Sequence, residues 1–282
     1  MSRLIIQHPQ LADTAIQAFS QSCGAAPDQR SGSLAIWSRA AIDGQHVSAL
    51  AETHQVDAEI VAPGLRLADF RLAVFDMDST LITIECVDEI ADFAGRKAEV
   101  AAITEAAMRG EIADYDDSLR RRVGLLAGLG EDSLERVWHE RVRLSPGAQT
   151  LVEALQGAGL VTLLVSGGFT FFTERLRRRL RLDWARSNLL EIDQGRLTGR
   201  LIGPIVNAAL KRRIVEQVCR LMQISPQQAI VVGDGANDLQ MMSIAGLSVA
   251  YHAKPVVRDE TTHAINHCGL DALLNLFEDQ AA

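Results

Sequence analysis

The stretch RLAVFDMDST (residues 71–80) decides the fold of this chain. Its first half is a short apolar run, which is typical of a parallel strand that is buried on both faces. Two aspartates, Asp76 and Asp78, follow this run directly. In sheets of parallel strands, ligands bind at the carboxyl ends of the strands. The stretch therefore predicts a buried strand that delivers a pair of carboxylates to a binding edge.

Two later stretches repeat the pattern of an apolar run that ends in a polar turn. VTLLVSGG (161–168) ends in a hydroxyl and glycines, and AIVVGDGAND (229–238) ends in a turn rich in Asp and Gly. Amphipathic segments at 148–159, 172–180 and 210–222 predict helices between and around these runs. Strands that alternate with helices predict the α/β class, here with a doubly wound parallel sheet.

Residues 84–143 interrupt this alternation and predict an all-helical insert. Four segments in this range place apolar residues three and four positions apart, and several of them end at Gly. An insert in this position can act as a cap, because it can close over the strand ends, exclude water during a reaction and open for release.

The first 68 residues predict a second, smaller α/β domain. Short apolar runs and amphipathic segments indicate strands at 4–7, 33–38 and 58–63 and helices at 13–24 and 44–54. This part carries no phosphate-binding loop, no metal-ligand spacing and no nucleophile elbow. The domain organisation is therefore 1–68 and 69–282, with the cap insert at about 84–143 inside the larger domain.

Composition excludes several classes of protein. The net charge is −8, from 28 basic and 36 acidic residues, which argues against binding to a nucleic-acid backbone. No apolar run reaches the roughly 18 residues that would indicate a membrane span. The four cysteines are scattered and form no CxxC pair, which favours free thiols in a reducing compartment. We therefore expect a cytoplasmic protein with neither nucleic acid nor membrane as a partner.

The aspartates at two strand ends indicate a magnesium site. Asp76 and Asp78 repel each other unless a cation or a shared proton relieves them. Asp234 and Asp238 follow another strand, and oxygen ligands suit Mg²⁺. Either turn alone has an ordinary interpretation, since Asp and Gly are common in turns and caps. The presence of both turns in one alternating chain favours the metal site.

The remaining polar turn and one lysine are weaker signals of phosphate binding. Ser166 and Gly167 stand between a strand and a helix, where free backbone N–H groups attract phosphate. The turn is neither a P-loop nor a nucleophile elbow, because no GxxxxGK[ST] or GxSxG occurs. Lys211 begins a predicted helix, and it could supply the fixed cation that a phosphate and several carboxylates need.

Over residues 71–270 these motifs resemble the haloacid dehalogenase-type phosphatases. The resemblance is carried by FDMDSTL, Glu85, SLRRRV, VSGGF, Lys211 and VGDGANDLQMM, in that order. It implies Mg²⁺-dependent hydrolysis of O-phospho-L-serine to L-serine and phosphate through an aspartyl-phosphate, the last step of serine biosynthesis. Residues 1–68 lie outside the resemblance. Longer members of the family often carry a small regulatory domain there, sometimes of the amino-acid-binding ACT kind.

The resemblance also implies a role for each motif residue. Asp76 would be the nucleophile, and Asp78 the general acid and then the base. The Asp76 carboxylate, the Asp78 carbonyl and Asp234 would hold Mg²⁺, while Asp238 would brace the metal site. Ser166, Gly167 and Lys211 would bind the phosphoryl oxygens, and Asn237 would orient the phosphate. The groups that contact the serine part would be Glu85 at the ammonium, Arg122 at the carboxylate, and Met108 and Tyr115 on the cap side.

Three alternatives stay open at this point. The same scaffold could move phosphate to another alcohol or hydrolyse another small phosphomonoester. A receiver domain also phosphorylates an aspartate on a doubly wound sheet, but it is shorter, has no cap and has no second aspartate in the position of Asp78. The N-terminal domain could sense an amino acid or form a dimerisation surface, so a homodimer remains open.

Overall fold

A computed structural model of the chain describes residues 2–108, 111–112 and 114–280. The described residues form two sheets. The elements of the N-terminal region, whose four strands form the smaller sheet, are β1 (Ser2–Gln7), α1 (Asp13–Cys23), β2 (Gln29–Arg30), β3 (Leu34–Ala40), α2 (Gly44–His54) and β4 (Asp57–Val61). Its strand order is β2-β3-β1-β4, and all neighbours are antiparallel. The helices α1 and α2 cover one face, where Leu4 and Ile6 pack against Phe19.

The larger sheet has seven strands in the order β11-β10-β9-β5-β6-β7-β8. Its pairs are parallel except β7 with β8, which form an antiparallel hairpin. Its elements are β5 (Leu72–Phe75), α7 (Ala148–Gly157), β6 (Val161–Phe169), α8 (Thr170–Leu180), β7 (Trp184–Asp193), β8 (Arg196–Ile202), α9 (Ala208–Met222), β9 (Ala229–Gly233), α10 (Leu239–Met242), β10 (Leu247–Tyr251), α11 (Pro255–Arg258) and β11 (His263–Ile265).

Alternate residues of the central strands face two different helical layers. Leu72 and Val74 of β5 belong to the core cluster that contains residues of α9 and α10. Ala73 and Phe75 belong to the other cluster, with residues of α7 and α8. Burial on both faces explains why these strands are uninterrupted apolar runs. The predicted α/β class with a doubly wound parallel sheet is therefore confirmed, with one antiparallel edge strand added.

The described residues between β5 and α7 include four α-helices, in the range predicted to be helical. They are α3 (Cys86–Phe93), α4 (Lys97–Met108), α5 (Tyr115–Gly124) and α6 (Asp132–Glu140). Ile82, before the insert, and Leu144, after it, form an isolated antiparallel bridge. The helical insert (84–143) therefore has its entry and exit side by side, next to the carboxyl end of β5.

The N-terminal sheet packs its second face on the larger unit. Ile5, Ile36 and Val61 belong to the same buried cluster as Phe277 of the C-terminal segment. At the edge, the Asp57 carboxylate accepts hydrogen bonds from the backbone N–H groups of three consecutive residues, Asn266, His267 and Cys268. These contacts hold the edge of the seven-stranded sheet against β4. Among the described helices, none is long and apolar enough to cross a membrane.

Candidate active site

The carboxyl ends of three neighbouring strands, with the residues that follow two of them, form the site. Because β9, β5 and β6 are adjacent and parallel, the turns after them meet at one edge of the sheet. The backbone N–H of Asp76 donates to the carbonyl of Val232, which ties the end of β5 to β9 at 3.0 Å. Ser79 then adopts a left-handed conformation with φ of 56°, which is uncommon for a residue with a side chain. This turn starts the path into the helical insert.

An acidic cluster and a buried lysine lie at the centre of the site. Ligand atoms of Asp76, Asp234 and Asp238 lie within 4.8 Å of one another. The ammonium of Lys211 lies 2.9 Å from Oδ1 of Asp76 and 2.7 Å from Oδ1 of Asp238. Lys211 is fully buried because it lies on the inward face of α9, with Ile214 and Val215. One cation therefore lies against a group of three carboxylates.

Crowding of like charges shifts the pKa values in this cluster. Burial, followed by the charge of Asp238, raises the pKa of Asp76 to about 7. Burial, followed by the charges of Asp76 and Asp238, raises the pKa of Asp234 to about 8. Burial alone would lower the pKa of Lys211, but the charges of Asp238 and Asp76 raise it overall. Lys211 thus stays charged, yet it does not compensate for all three carboxylates.

The donor set of this cluster fits a hard divalent cation. Both oxygens of Asp238 are engaged, one by Lys211 and the other by the backbone N–H of Gly235 at 3.1 Å. Oδ1 of Asp76, by contrast, is buried and has no well-directed hydrogen bond among the described residues, although it forms the ion pair with Lys211. Asp234 accepts a hydrogen bond from the Thr80 hydroxyl at 2.9 Å. Asp76 and Asp234 could therefore hold the ion, with Asp238 beside them.

Asp78 lines the same cavity, but the charge that affects its pKa most is that of Glu85 and not that of the acidic cluster. Burial and then the charge of Glu85 raise its pKa well above the ordinary value, and the charge of Asp76 adds to this effect. The backbone N–H of Cys86 donates to Oδ1 of Asp78 at a long 3.4 Å. A carboxyl group with a raised pKa next to another carboxylate is suited to carry and release a proton.

Residues 166–168, the glycine turn at the carboxyl end of β6, form a narrow polar cradle where the pairing with β7 is irregular. Ser166 is 1% exposed, and its Oγ accepts a hydrogen bond from the N–H of Gly168 at 2.8 Å. A Cβ atom on Gly167 would collide with the hydroxyl of Tyr115, and one on Gly168 would lie 2.5 Å from Cε of Met77. A side chain at either position would therefore displace these neighbours, and at Gly168 it would also lie 2.9 Å from Oδ2 of Asp78.

The helical insert contributes the opposite wall of the cavity. Tyr115, Leu119 and Arg122 of α5 line it. Nε of Arg122 is buried and has no hydrogen-bond partner among the described residues. Glu85 lies at the mouth, where it keeps contact with solvent and its Oε1 accepts from the Ser79 hydroxyl at 2.7 Å. Surrounding protein raises the pKa of Glu85, and this effect outweighs the Ser79 hydrogen bond and the charge of Arg122.

The cavity brings together most of the residues that the sequence indicated. Its volume is about 90 Å³. The predicted residues that line it are Asp76, Asp78, Glu85, Tyr115, Arg122, Ser166, Gly167, Asp234 and Asn237. Lys211 does not line the cavity but contacts Asp76 from behind it. The side chain of Met108 lies outside the described part of the chain.

Sequence reasoning missed several residues that support this site. The Thr80 hydroxyl donates a hydrogen bond to Asp234, and the Ser79 hydroxyl donates one to Glu85. The two hydroxyl residues of DMDST could have indicated such contacts. Asp116 accepts a hydrogen bond from Asn207 at 3.0 Å, which joins α5 of the insert to the first turn of α9. No local pattern indicated this contact, because the two residues are 91 positions apart.

Carboxylates after two parallel strands, a hydroxyl and glycines at the carboxyl end of a third, and a buried lysine behind them form the candidate active site of a hydrolase with a doubly wound α/β sheet. The chain belongs to the haloacid dehalogenase-like hydrolases, because the model of that family matches residues 73–243. A phosphoserine phosphatase of Polaromonas sp. (strain JS666) is 60% identical over 221 residues, which cover 77% of this chain and 94% of that protein.

Solved structures show the same relationship. A haloacid dehalogenase family hydrolase of Salmonella enterica serovar Typhi superposes with a TM-score of 0.89 at 35% identity, over 100% of both chains. A phospho-aspartyl intermediate analogue of a phosphoserine phosphatase superposes with a TM-score of 0.69 at 35% identity, over 74% of this chain and 99% of that one. The first similarity includes the N-terminal sheet of this chain.

Proposed function

We propose that the protein hydrolyses O-phospho-L-serine to L-serine and phosphate, with Mg²⁺ bound, as the last step of serine biosynthesis. The observation that carries this proposal is that one small cavity is lined by two chemically different sets of groups. Carboxylates and the glycine turn, with Lys211 behind Asp76, form the set that would take the phosphoryl group, and an acidic and a basic side chain, Glu85 and Arg122, form the set that would take the amino-acid part. The names of the relatives support the same substrate.

In the first half of the reaction, a carboxylate oxygen of Asp76 attacks phosphorus. The bond between phosphorus and the serine oxygen breaks, and Asp78 transfers its proton to that oxygen so that serine leaves as a neutral alcohol. A serine alkoxide is a poor leaving group, so this proton is required. The raised pKa of Asp78 supports its role as the acid. The product of this step is an aspartyl-phosphate on Asp76.

In the second half, a water molecule attacks the phosphorus of the aspartyl-phosphate. Asp78, now a carboxylate, takes a proton from that water. The bond between phosphorus and the Asp76 oxygen breaks, so that inorganic phosphate leaves and both carboxyl groups return to their starting states. Dividing hydrolysis into two displacements in this way replaces one difficult step with two easier ones.

Charge neutralisation accompanies both halves of the reaction. Asp76, the Asp78 carbonyl and Asp234 would hold Mg²⁺, which supplies Lewis-acid polarisation of a phosphoryl oxygen. Lys211, Ser166 and the Gly167 N–H bind the other oxygens, and Asn237 orients the group. Asp238 engages Lys211 at 2.7 Å and so fixes the direction of its ammonium.

The opposite end of the cavity would select a zwitterionic amino acid. Nε of Arg122 is buried and has no hydrogen-bond partner in the part of the chain that the structure describes, and a substrate carboxylate would satisfy it with a charge-assisted hydrogen bond. Glu85 would accept from the substrate ammonium at the mouth. Tyr115 covers the glycine turn from the insert, and Met108 is proposed to complete this wall.

Matched substrates test this assignment. O-Phosphoethanolamine lacks the carboxylate of phosphoserine, and 3-phosphoglycerate has a hydroxyl in place of the ammonium. We expect kcat/KM for phosphoserine to exceed that of each analogue by about a hundredfold or more. Arg122→Ala should reduce the ratio of kcat/KM between phosphoserine and phosphoethanolamine, but not the ratio between phosphoserine and 3-phosphoglycerate. Glu85→Gln should have the opposite pattern and reduce only the ratio for 3-phosphoglycerate. A phosphosugar hydrolysed faster than phosphoserine would refute the substrate, and serine released without equal phosphate would indicate transfer to another alcohol.

We further propose that residues 1–68 form a regulatory domain of the ACT kind, separate from the phosphatase domain of residues 69–282 and its cap insert. The βαββαβ element order and the antiparallel order β2-β3-β1-β4 support this proposal. The same proposal includes a cytoplasmic location, which the four free cysteines support. It also includes a homodimer. Calorimetry of the full chain with L-serine, with its active-site binding blocked by Arg122→Ala, tests sensing, and absence of heat would remove the regulatory role.

A further inference from the structure

The pairing between β6 and β7 is interrupted at the phosphate end of the cavity. The two strands pair from Leu163 with Trp184 to Val165 with Arg186, and they pair again only at Phe169 with Asn188. Residues 166–168 therefore leave the ladder, and their backbone groups need other partners because the turn is largely buried.

The side chain of Asn188 supplies one of these partners. Its Nδ2 donates to the carbonyl of Gly167 at 2.7 Å, and its Oδ1 accepts from the backbone N–H of Val206 at 2.8 Å. Asn188 is 2% exposed, so this carboxamide has little contact with water. One amide side chain thus joins the glycine turn at the carboxyl end of β6 to the segment that leads into α9.

The first of these bonds fixes the peptide between Gly167 and Gly168. Asn188 holds the carbonyl of this peptide, and Ser166 Oγ holds its N–H at 2.8 Å. Because Oγ accepts in this bond, and a hydroxyl has only one hydrogen, the Ser166 hydrogen remains available for an oxygen in the cavity. The orientation of the Ser166 hydroxyl therefore depends on the position of this peptide.

The second bond fixes the start of the helix that carries the lysine. Val206 directly precedes Asn207, whose side chain caps α9 by accepting from the N–H of Leu210 at 3.0 Å. The N–H of Lys211 donates to the carbonyl of Asn207 at 2.8 Å, so Lys211 lies one turn into the helix. The position of Val206 therefore influences where the Lys211 ammonium lies.

We propose that Asn188 is a positioning residue that sets the distance and orientation between Ser166 and Lys211. Both groups contact phosphoryl oxygens in the proposed function, on which this inference rests. Asn188 does not line the cavity and acts only through the two bonds of its carboxamide. Its removal should weaken recognition of the phosphoryl group and leave recognition of the amino-acid end unchanged.

Asn188→Asp separates the two bonds, because a carboxylate has nearly the same shape but cannot donate. It still accepts from Val206, but it opposes the Gly167 carbonyl with a second oxygen. We expect kcat to fall about ten- to a hundredfold, since small misplacements of reacting groups have effects of this size. The inhibition constant of inorganic phosphate should rise about tenfold, while that of L-serine stays within twofold. Ser187→Ala is the matched control, because Ser187 bonds Thr173 and Thr170 instead of the turn.

A double-mutant cycle distinguishes positioning from loss of structure. If Asn188 acts mainly through Ser166, Asn188→Asp should lose most of its effect on phosphate inhibition in a Ser166→Ala background. Full additivity, or an equal loss of affinity for L-serine and phosphate, would overturn the proposal. So would unchanged phosphate inhibition in Asn188→Asp. If the wild-type protein fails to hydrolyse phosphoserine, the proposed function fails, but the phosphate-binding comparison still tests Asn188.

Discussion

The two sheets of this protein are built from similar elements but differ in strand direction. In the N-terminal sheet all neighbours are antiparallel, so successive strands end at opposite edges. In the larger sheet β9, β5 and β6 are parallel neighbours, so the residues that follow them meet at one edge. Strand direction explains why residues as far apart as Asp76, Ser166 and Asp234 can line one cavity.

The buried carboxylates of the two regions also differ, in whether their oxygens receive hydrogen bonds. Asp57 of β4 has its oxygens occupied by backbone N–H groups of Asn266, His267 and Cys268. Asp76 has an oxygen that receives no well-directed hydrogen bond from the residues that the structure describes, and burial, followed by the charge of Asp238, raises its pKa. A satisfied buried carboxylate stabilises the fold, whereas an unsatisfied one is available to a cation or a substrate. The predictions below test this contrast.

The largest effect is expected at Asp76. Asp76→Asn removes the nucleophilic oxygen, so kcat with phosphoserine should fall by about a thousandfold or more while the circular dichroism spectrum stays unchanged. Asp43→Asn is the control in the N-terminal sheet region, because Asn also caps a helix well. Near-normal turnover by Asp76→Asn would contradict the assignment.

Metal binding should produce the next largest effect. At a Mg²⁺ concentration about 100 times its Kd, the free energy of unfolding should rise by about 2.7 kcal/mol, because the ion binds only the folded state. Asp234→Asn should lose most of this rise, and Asp57→Asn should keep it. Chelation should abolish turnover. Thermal unfolding with and without Mg²⁺ measures the shift, and an equal shift in both variants would argue against the cluster as the metal site.

The metal-free protein should lose stability as the pH rises. The pKa values of Asp76 and Asp234 are about 7 and about 8 in the folded chain, above the roughly 3.9 of an unfolded aspartate. The folded state therefore binds more protons, and stability falls between about pH 4 and pH 8. Unfolding temperatures measured in a chelator across this range check the sign. Asp234→Asn should flatten the fall, and a rise in stability over the same range would contradict it.

The smallest effect on activity is expected at Asp57. Asp57→Ala leaves three backbone N–H groups without their acceptor at the edge of the larger sheet. The free energy of unfolding should fall by about 1–3 kcal/mol, while kcat/KM stays within twofold. Urea unfolding and a phosphate-release assay measure the two quantities. A large loss of activity without loss of stability would reverse the contrast between the two regions.

The sequence predicted the parts of the fold and site that depend on local pattern. The apolar runs before Asp76, Ser166 and Asp234 identified the central strands because burial on both faces leaves an uninterrupted signal. The sequence did not indicate β11, which has three residues and is held partly by Asp57 and Glu59 of β4. Such a short strand depends on partners that are distant in the sequence.

The residues of the site also differ in whether a local sequence pattern indicates them. Asp76 and Asp234 were readable because each directly follows a strand, whereas Glu85 and Arg122 were indicated only by resemblance to a family. Asn188 was missed because its two partners are 21 and 18 positions away, one on each side. Roles that arise from a tertiary contact leave no periodic trace in the sequence.

The most direct test of the central claim is to trap the phosphorylated enzyme. The protein is mixed with phosphoserine carrying a radioactive phosphoryl group, quenched in acid, and reduced with borohydride before peptide mapping. Reduction of an aspartyl-phosphate yields homoserine, and we expect it at position 76 alone, with no label bound in Asp76→Asn. Homoserine at another position, or label on a serine or histidine, would contradict the account.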